Sequence, residues 1–134
     1  YPAEGCGVIL RPGPPSPNGF EFHPCRNIQD QLHACDPVAY PSTARTAYYM
    51  AHEDVLYLHE QQQAGRTLHA IYHSHVDADA DFSRTDRRNA MLNGQPTYPG
   101  AIYVVVAVRA GRTCEIRAFG WDAECGGYKE VGLQ

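Results

Sequence analysis

An α+β domain built on a mixed, largely antiparallel sheet is the fold class this sequence predicts. Three observations predict it. β-type segments outnumber helical ones along the 134 residues. The last two long β-type runs, 101–109 and 113–121, are separated only by a turn at Gly111-Arg112 and read as a hairpin. Hydrophobic residues make up 43% and charged residues 19%, an ordinary globular balance, so a single domain over residues 1–134 with a sizeable core is expected.

In chain order, 5–10 (GCGVIL) reads as a buried strand. The stretch 11–19 (RPGPPSPNG) is dense in proline and glycine and reads as a turn or loop. Residues 20–28 alternate around FEFHPCRNI, a second strand broken at Pro24, which has no N–H for a ladder. No element is assigned over 29–50, where Asp36-Pro37 and Tyr40-Pro41 suggest loop. Residues 52–64 (HEDVLYLHEQQQA) form a helix. Val55, Leu56 and Leu58 fall to one side, Glu53 and Asp54 suit the first turn, and Gly65 suits the end. The apolar run 67–73 is a strand that continues into a histidine pair, and an acidic loop, 76–82, follows it. Residues 83–92 read as a helix that stops near Asn93-Gly94. The continuous apolar run 101–109 is expected to be a strand covered on both faces, and 128–133 adds a last strand.

The net charge of −4 argues against non-specific nucleic-acid binding, which needs a basic surface. The longest apolar run, 101–108, is far too short to span a bilayer, so no membrane association is expected. Five cysteines, odd in number and without a C-x-x-C pair, favour a reducing cytoplasm over a disulfide framework.

The chemistry concentrates at His73-Ser74-His75, followed by Ser83 and Asp86. On a strand, residues i and i+2 share a face, so the two imidazoles stand side by side, roughly 6–7 Å apart at the backbone. Catalytic zinc takes three protein ligands and leaves a fourth position open. Two histidines and a carboxylate meet that count, and Asp86 is the best placed carboxylate. Ser83-x-x-Asp86 is also a helix N-cap box, a purely structural reading that claims the Ser83 hydroxyl while fixing Asp86 on a first turn. A bare H-x-H among seven histidines is weak by itself. Asp77, Asp79 and Asp81 alternate with small residues and read as solvated surface.

Taken with its spacing, the pattern H-x-H-x7-S-x2-D resembles the motif of the JAMM (MPN+) zinc metalloproteases. Glu4-Gly5-Cys6-Gly7 matches the upstream glutamate element of that family, and Arg26-Asn27-Ile28 looks like its strand-ending Asn-Ile. The resemblance implies a cytidine-deaminase-like MPN fold and one zinc ion per chain on His73, His75 and Asp86. It further implies Glu4 as the catalytic acid–base and Ser83 as a hydroxyl on the developing oxyanion. Short prokaryotic members act next to the Gly-Gly tail of ubiquitin-like or sulfur-carrier proteins, which are the substrate partners expected here. Residues 91–100, after Asp86, hold no histidine or cysteine and no histidine follows His75, so the second structural zinc of polyubiquitin-selective relatives is not expected here. Family domains begin with a strand and helix ahead of the glutamate. This sequence opens at Tyr1-Pro2, where that helix should end, so the segment is expected to be trimmed or absent.

Rival patterns fit the residues less well or change only the use of the fold. A metallo-β-lactamase-type H-x-H-x-D-H fits His73, His75 and Asp77, but Ala78 replaces its last histidine. A zinc deaminase needs H-x-E with P-C-x-x-C, and neither occurs. A non-catalytic MPN scaffold, or a zinc peptidase with an unrelated substrate, keeps the fold and changes the use; scaffold relatives usually lack one or more of the ligands present here.

Overall fold

A computed structural model describes residues 1–12 and 19–133. Eleven elements follow in order: β1 (Cys6–Arg11), β2 (Glu21–Cys25), α1 (Gln29–Cys35), α2 (His52–Gln63), β3 (Thr67–Val76), α3 (Arg84–Asn89), β4 (Met91–Leu92), β5 (Gln95–Pro96), β6 (Ile102–Arg109), β7 (Arg112–Asp122) and β8 (Gly127–Val131). Most of the predicted loop at 11–19 lies outside the described residues. Six strands form one sheet in the order β2-β1-β3-β6-β7-β8. Only β3 and β6 are parallel; every other pair in that sheet is antiparallel. The α+β class and the mixed, largely antiparallel sheet with flanking helices therefore hold.

Burial follows the pleat. In register across the sheet, Val8, Ile71, Tyr103 and Phe119 line one face. With Leu10, Leu58 of α2, Val105, Phe82 and Tyr128 they make the core. Burying a side chain of this size is worth about 1.5–3 kcal/mol. On β6 the odd residues Tyr103, Val105 and Ala107 are buried, while Ile102, Val104 and Val106 are only half-buried. The expectation of cover on both faces thus fails: a continuous apolar run here serves one fully packed face and one partly open face. On the open face Gly7 makes room for the Tyr72 ring, which a Cβ at that position would meet within 2.2–2.7 Å.

Three local differences have physical causes. Helix α1 lacks apolar periodicity and a side-chain N-cap, so nothing in its seven residues announces it. Pro24 stays inside β2 because β2 is an edge strand and needs no N–H on its outer side. Helix α3 ends at Asn89, and Met91–Leu92 instead pair with Gln95–Pro96 around Asn93 and Gly94, both at positive φ. Among the described residues no helix is long and apolar enough to cross a membrane.

Candidate metal centre

Strand β3 runs through both histidines, so His73 and His75 leave the same face of the sheet. His73 is fully buried in the sheet centre, opposite Cys6 of β1 and Val105 of β6; His75 is half-buried nearer the strand end. Helix α3 brings the third donor. Ser83 is its N-cap and accepts the Asp86 N–H at 3.0 Å, while the Asp86 carboxylate accepts the Ser83 N–H at 2.9 Å. This reciprocal cap fixes the aspartate. Asp86 Oδ2 then stands 3.2 Å from Nε2 of both histidines, which are 3.2 Å from each other.

Those three atoms form an equal-sided triangle. A tetrahedral ion with bonds of about 2.0–2.1 Å spaces its ligand atoms roughly 3.3–3.4 Å apart, so the triangle matches one face of such a tetrahedron. Hydrogen bonding points the same way. His75 Nδ1 lies 2.7 Å from the Asp79 carbonyl, which can only accept, so Nδ1 carries a hydrogen. A neutral ring then turns its Nε2 lone pair onto the Asp86 oxygen. Two lone pairs at that distance need a cation between them, either a proton or a metal. Burial disfavours a charge on His75, but Asp86, the Asp79 carbonyl and Glu4 outweigh it and raise its pKa. Burial also works against the Asp86 charge, yet the two imidazoles and the Ser83 N–H hold that carboxyl far below its usual range. The donor set of two imidazoles and one carboxylate fits zinc with an open fourth position. The His73 ring stacks on Tyr48 with centroids 4.6 Å apart, and its buried Nδ1 has no protein partner.

Glu4 closes the site from the N-terminal side and is buried. One of its carboxylate oxygens lies within 4.8 Å of a ring nitrogen of His73 and of His75. It is placed through its own backbone and that of Gly5. Gly5 N–H donates to Ser74 Oγ at 2.8 Å, and Ser74 N–H donates back to the Gly5 carbonyl at 2.9 Å. Glu4 N–H donates to Ala44 at 2.7 Å, and Asn27 Nδ2 donates to the Glu4 carbonyl at 2.8 Å. The Asn27 Oδ1 in turn accepts from Gln29 and Tyr49 N–H. Burial pushes the Glu4 carboxyl up to about 8, opposed by His75 and, to a smaller extent, helped by the Asp86 charge. A cavity of about 150 Å³ beside these groups is lined by Glu4, Arg45, Thr46, His75 and Ser83 among others.

All five residues singled out in the sequence, Glu4, His73, His75, Ser83 and Asp86, thus come together. The acidic loop is at the surface as expected, and it is also tied down. Asp77, Asp79 and Asp81 are exposed, but each is paired within the chain, with Arg45, Arg109 and Arg117 respectively. Between them Ala80 and Phe82 turn inward to the core. The loop is therefore staked down, and its Asp79 carbonyl orients His75. Ser74, Asn27 and Tyr48 were not anticipated as site supports. The position of Ser74 between the two histidines, facing the opposite side of the strand, was the available signal.

Comparison with known proteins gives the family. A family model described as prokaryotic homologs of the JAB domain matches residues 1–121. The chain belongs to that family, the JAB/MPN group to which the motif pointed. A solved structure of a protein from Desulfitobacterium hafniense superposes with a TM-score of 0.62 at 16% identity, covering 98% of this chain and 77% of that one. A second, from Salinibacter ruber, gives 0.59 at 26% identity, covering 99% and 78%. No curated protein matches the chain.

Proposed function

We propose that this chain is a zinc-dependent metallopeptidase that hydrolyses the amide following the C-terminal Gly-Gly tail of a ubiquitin-like or sulfur-carrier protein. The observation that carries the reading is the 3.2 Å triangle of His73, His75 and Asp86 with the buried Glu4 carboxylate beside it. Zinc held on those three side chains would supply Lewis acidity, acidifying water and polarising the scissile carbonyl.

The chain's own residues supply the rest. Glu4, which a dication at the triangle would keep ionised, accepts a proton from water and returns it to the leaving amine. Such acid–base help is worth about 10²–10⁴ in rate. The Ser83 oxygen is occupied by the Asp86 N–H, but its own hydrogen is free to donate to the oxyanion, worth roughly 10²–10³. The small cavity beside His75 supports a tail of minimal side chains, since drug-sized ligand pockets start near about 300 Å³. Five free cysteines support a reducing, cytoplasmic setting.

The test is incubation with ubiquitin-fold proteins extended beyond Gly-Gly, read by intact mass. The expected result is one product ending in Gly-Gly, lost with chelator and with Glu4→Gln, the latter still holding zinc. A zinc-loaded wild type that leaves every such fusion intact would instead favour a protein-binding scaffold.

A further inference from the structure

A second cluster of metal-ligating side chains lies outside this centre, on β2 and α2. One imidazole nitrogen of His23, the Cys25 Sγ and one carboxylate oxygen of Asp54 fall within 4.8 Å of one another. His23 and Cys25 are i and i+2 on an edge strand and share a face. Asp54 comes from the first turn of α2.

Two of the three donors, Asp54 and His23, are held in place by other groups. Asp54 Oδ2 accepts the Arg26 N–H at 2.8 Å, which turns Oδ1 to within 3.0 Å of His23 Nε2. The His23 ring stacks on Tyr57 with centroids 4.1 Å apart, and the Tyr57 hydroxyl donates to Glu21 at 2.7 Å. Cys25 is a free thiol whose closest polar contact is a weak one to the His23 carbonyl at 3.6 Å. Cys6 stands opposite Cys25 in the register, but its sulfur turns toward the Cys25 carbonyl and does not join the set. Ligands locked by outer partners before an ion arrives are the usual mark of a metal site. An ion pair between His23 and Asp54 would need no sulfur at its side.

We propose that His23, Cys25 and Asp54 form a second metal site of zinc class, with solvent in its fourth position, pinning the edge strand β2 to the start of α2. Sulfur, nitrogen and oxygen donors together select a borderline ion over calcium or magnesium. Loading exchanges one divalent ion for the Cys25 thiol proton, which leaves to solvent with no change of oxidation state.

Cobalt(II) separates the two sites, because only this cluster holds a thiol and thiolate–cobalt bonds absorb in the near ultraviolet. Metal-free protein kept reduced would be titrated with cobalt(II) while the band and the bound equivalents are recorded. Wild type should take two equivalents and show the band. Asp86→Ala should take one and keep the band, and Cys25→Ser should take one and lose it. One equivalent without a band in wild type overturns the site. So does a second equivalent without a band, or a band that survives Cys25→Ser. If Cys25→Ser fails to fold, Asp54→Asn replaces it, with loss of the second equivalent expected and its retention counting against the proposal.

Discussion

Ser83 can serve two purposes with different parts of one hydroxyl. Its oxygen accepts the helix-capping N–H, and its hydrogen remains for a substrate oxygen. The cap and the oxyanion roles, set against each other by the sequence, are therefore compatible. Ser83→Ala removes both and should lower kcat by roughly 10²–10³ while costing about 1 kcal/mol of stability. Ser83→Thr should restore both. Thermal melts beside turnover measurements check this; an alanine variant that loses stability and keeps its rate would leave only the cap. Asp86 is less forgiving, since its removal uncaps α3 and breaks the triangle together. Asp86→Ala should hold one zinc equivalent fewer than wild type after dialysis, and an unchanged zinc content would show that the ligand set is wrong.

At the scale of elements, β3 presents opposite faces to two tasks. Its odd residues carry the imidazoles. Its even residue Ser74 clasps Gly5 through two hydrogen bonds and so holds Glu4 in reach. Ser74→Ala should lower kcat several-fold with KM and zinc content little changed, with partial recovery in Ser74→Thr; a loss of zinc in step with rate would assign Ser74 a general structural role instead. The same strand explains what could be read in advance. His73 and His75 were legible because the strand period of two is local, and Asp86 because a cap box spans four residues. Glu4 was not, because its approach depends on β1 pairing with β3 across about 70 residues of chain, and only resemblance to a family supplied it. Helix α1 and the β4–β5 hairpin carry little periodic signal, although Asn93-Gly94 is a recognised hairpin dipeptide.

For the whole molecule, the site imposes a pH dependence on the metal-free fold. Glu4 is raised from 4.5 to about 8, so between those values the folded chain binds a proton that the unfolded chain has lost. Stability from this group is full below its unfolded pKa and declines as pH climbs to about 8, by at most about 5 kcal/mol. Asp86 has the opposite sign: its contribution is present above the ordinary aspartate pKa, about 3.9, and is lost as pH falls below it. Metal-free protein should thus be most stable in mild acid. Denaturant unfolding at a series of pH values checks this, and Glu4→Gln should flatten the alkaline decline; an unchanged decline would place the proton on another group.

His73, His75 and Asp86 sit within one short excursion from β3 to α3, whereas Glu4 reaches them from the far end of the sequence. Gripping a cation there would therefore be a neighbourhood matter, and the proposed reactivity would depend on distant strands staying zipped. Gentle warming should quench turnover while the ion stays put.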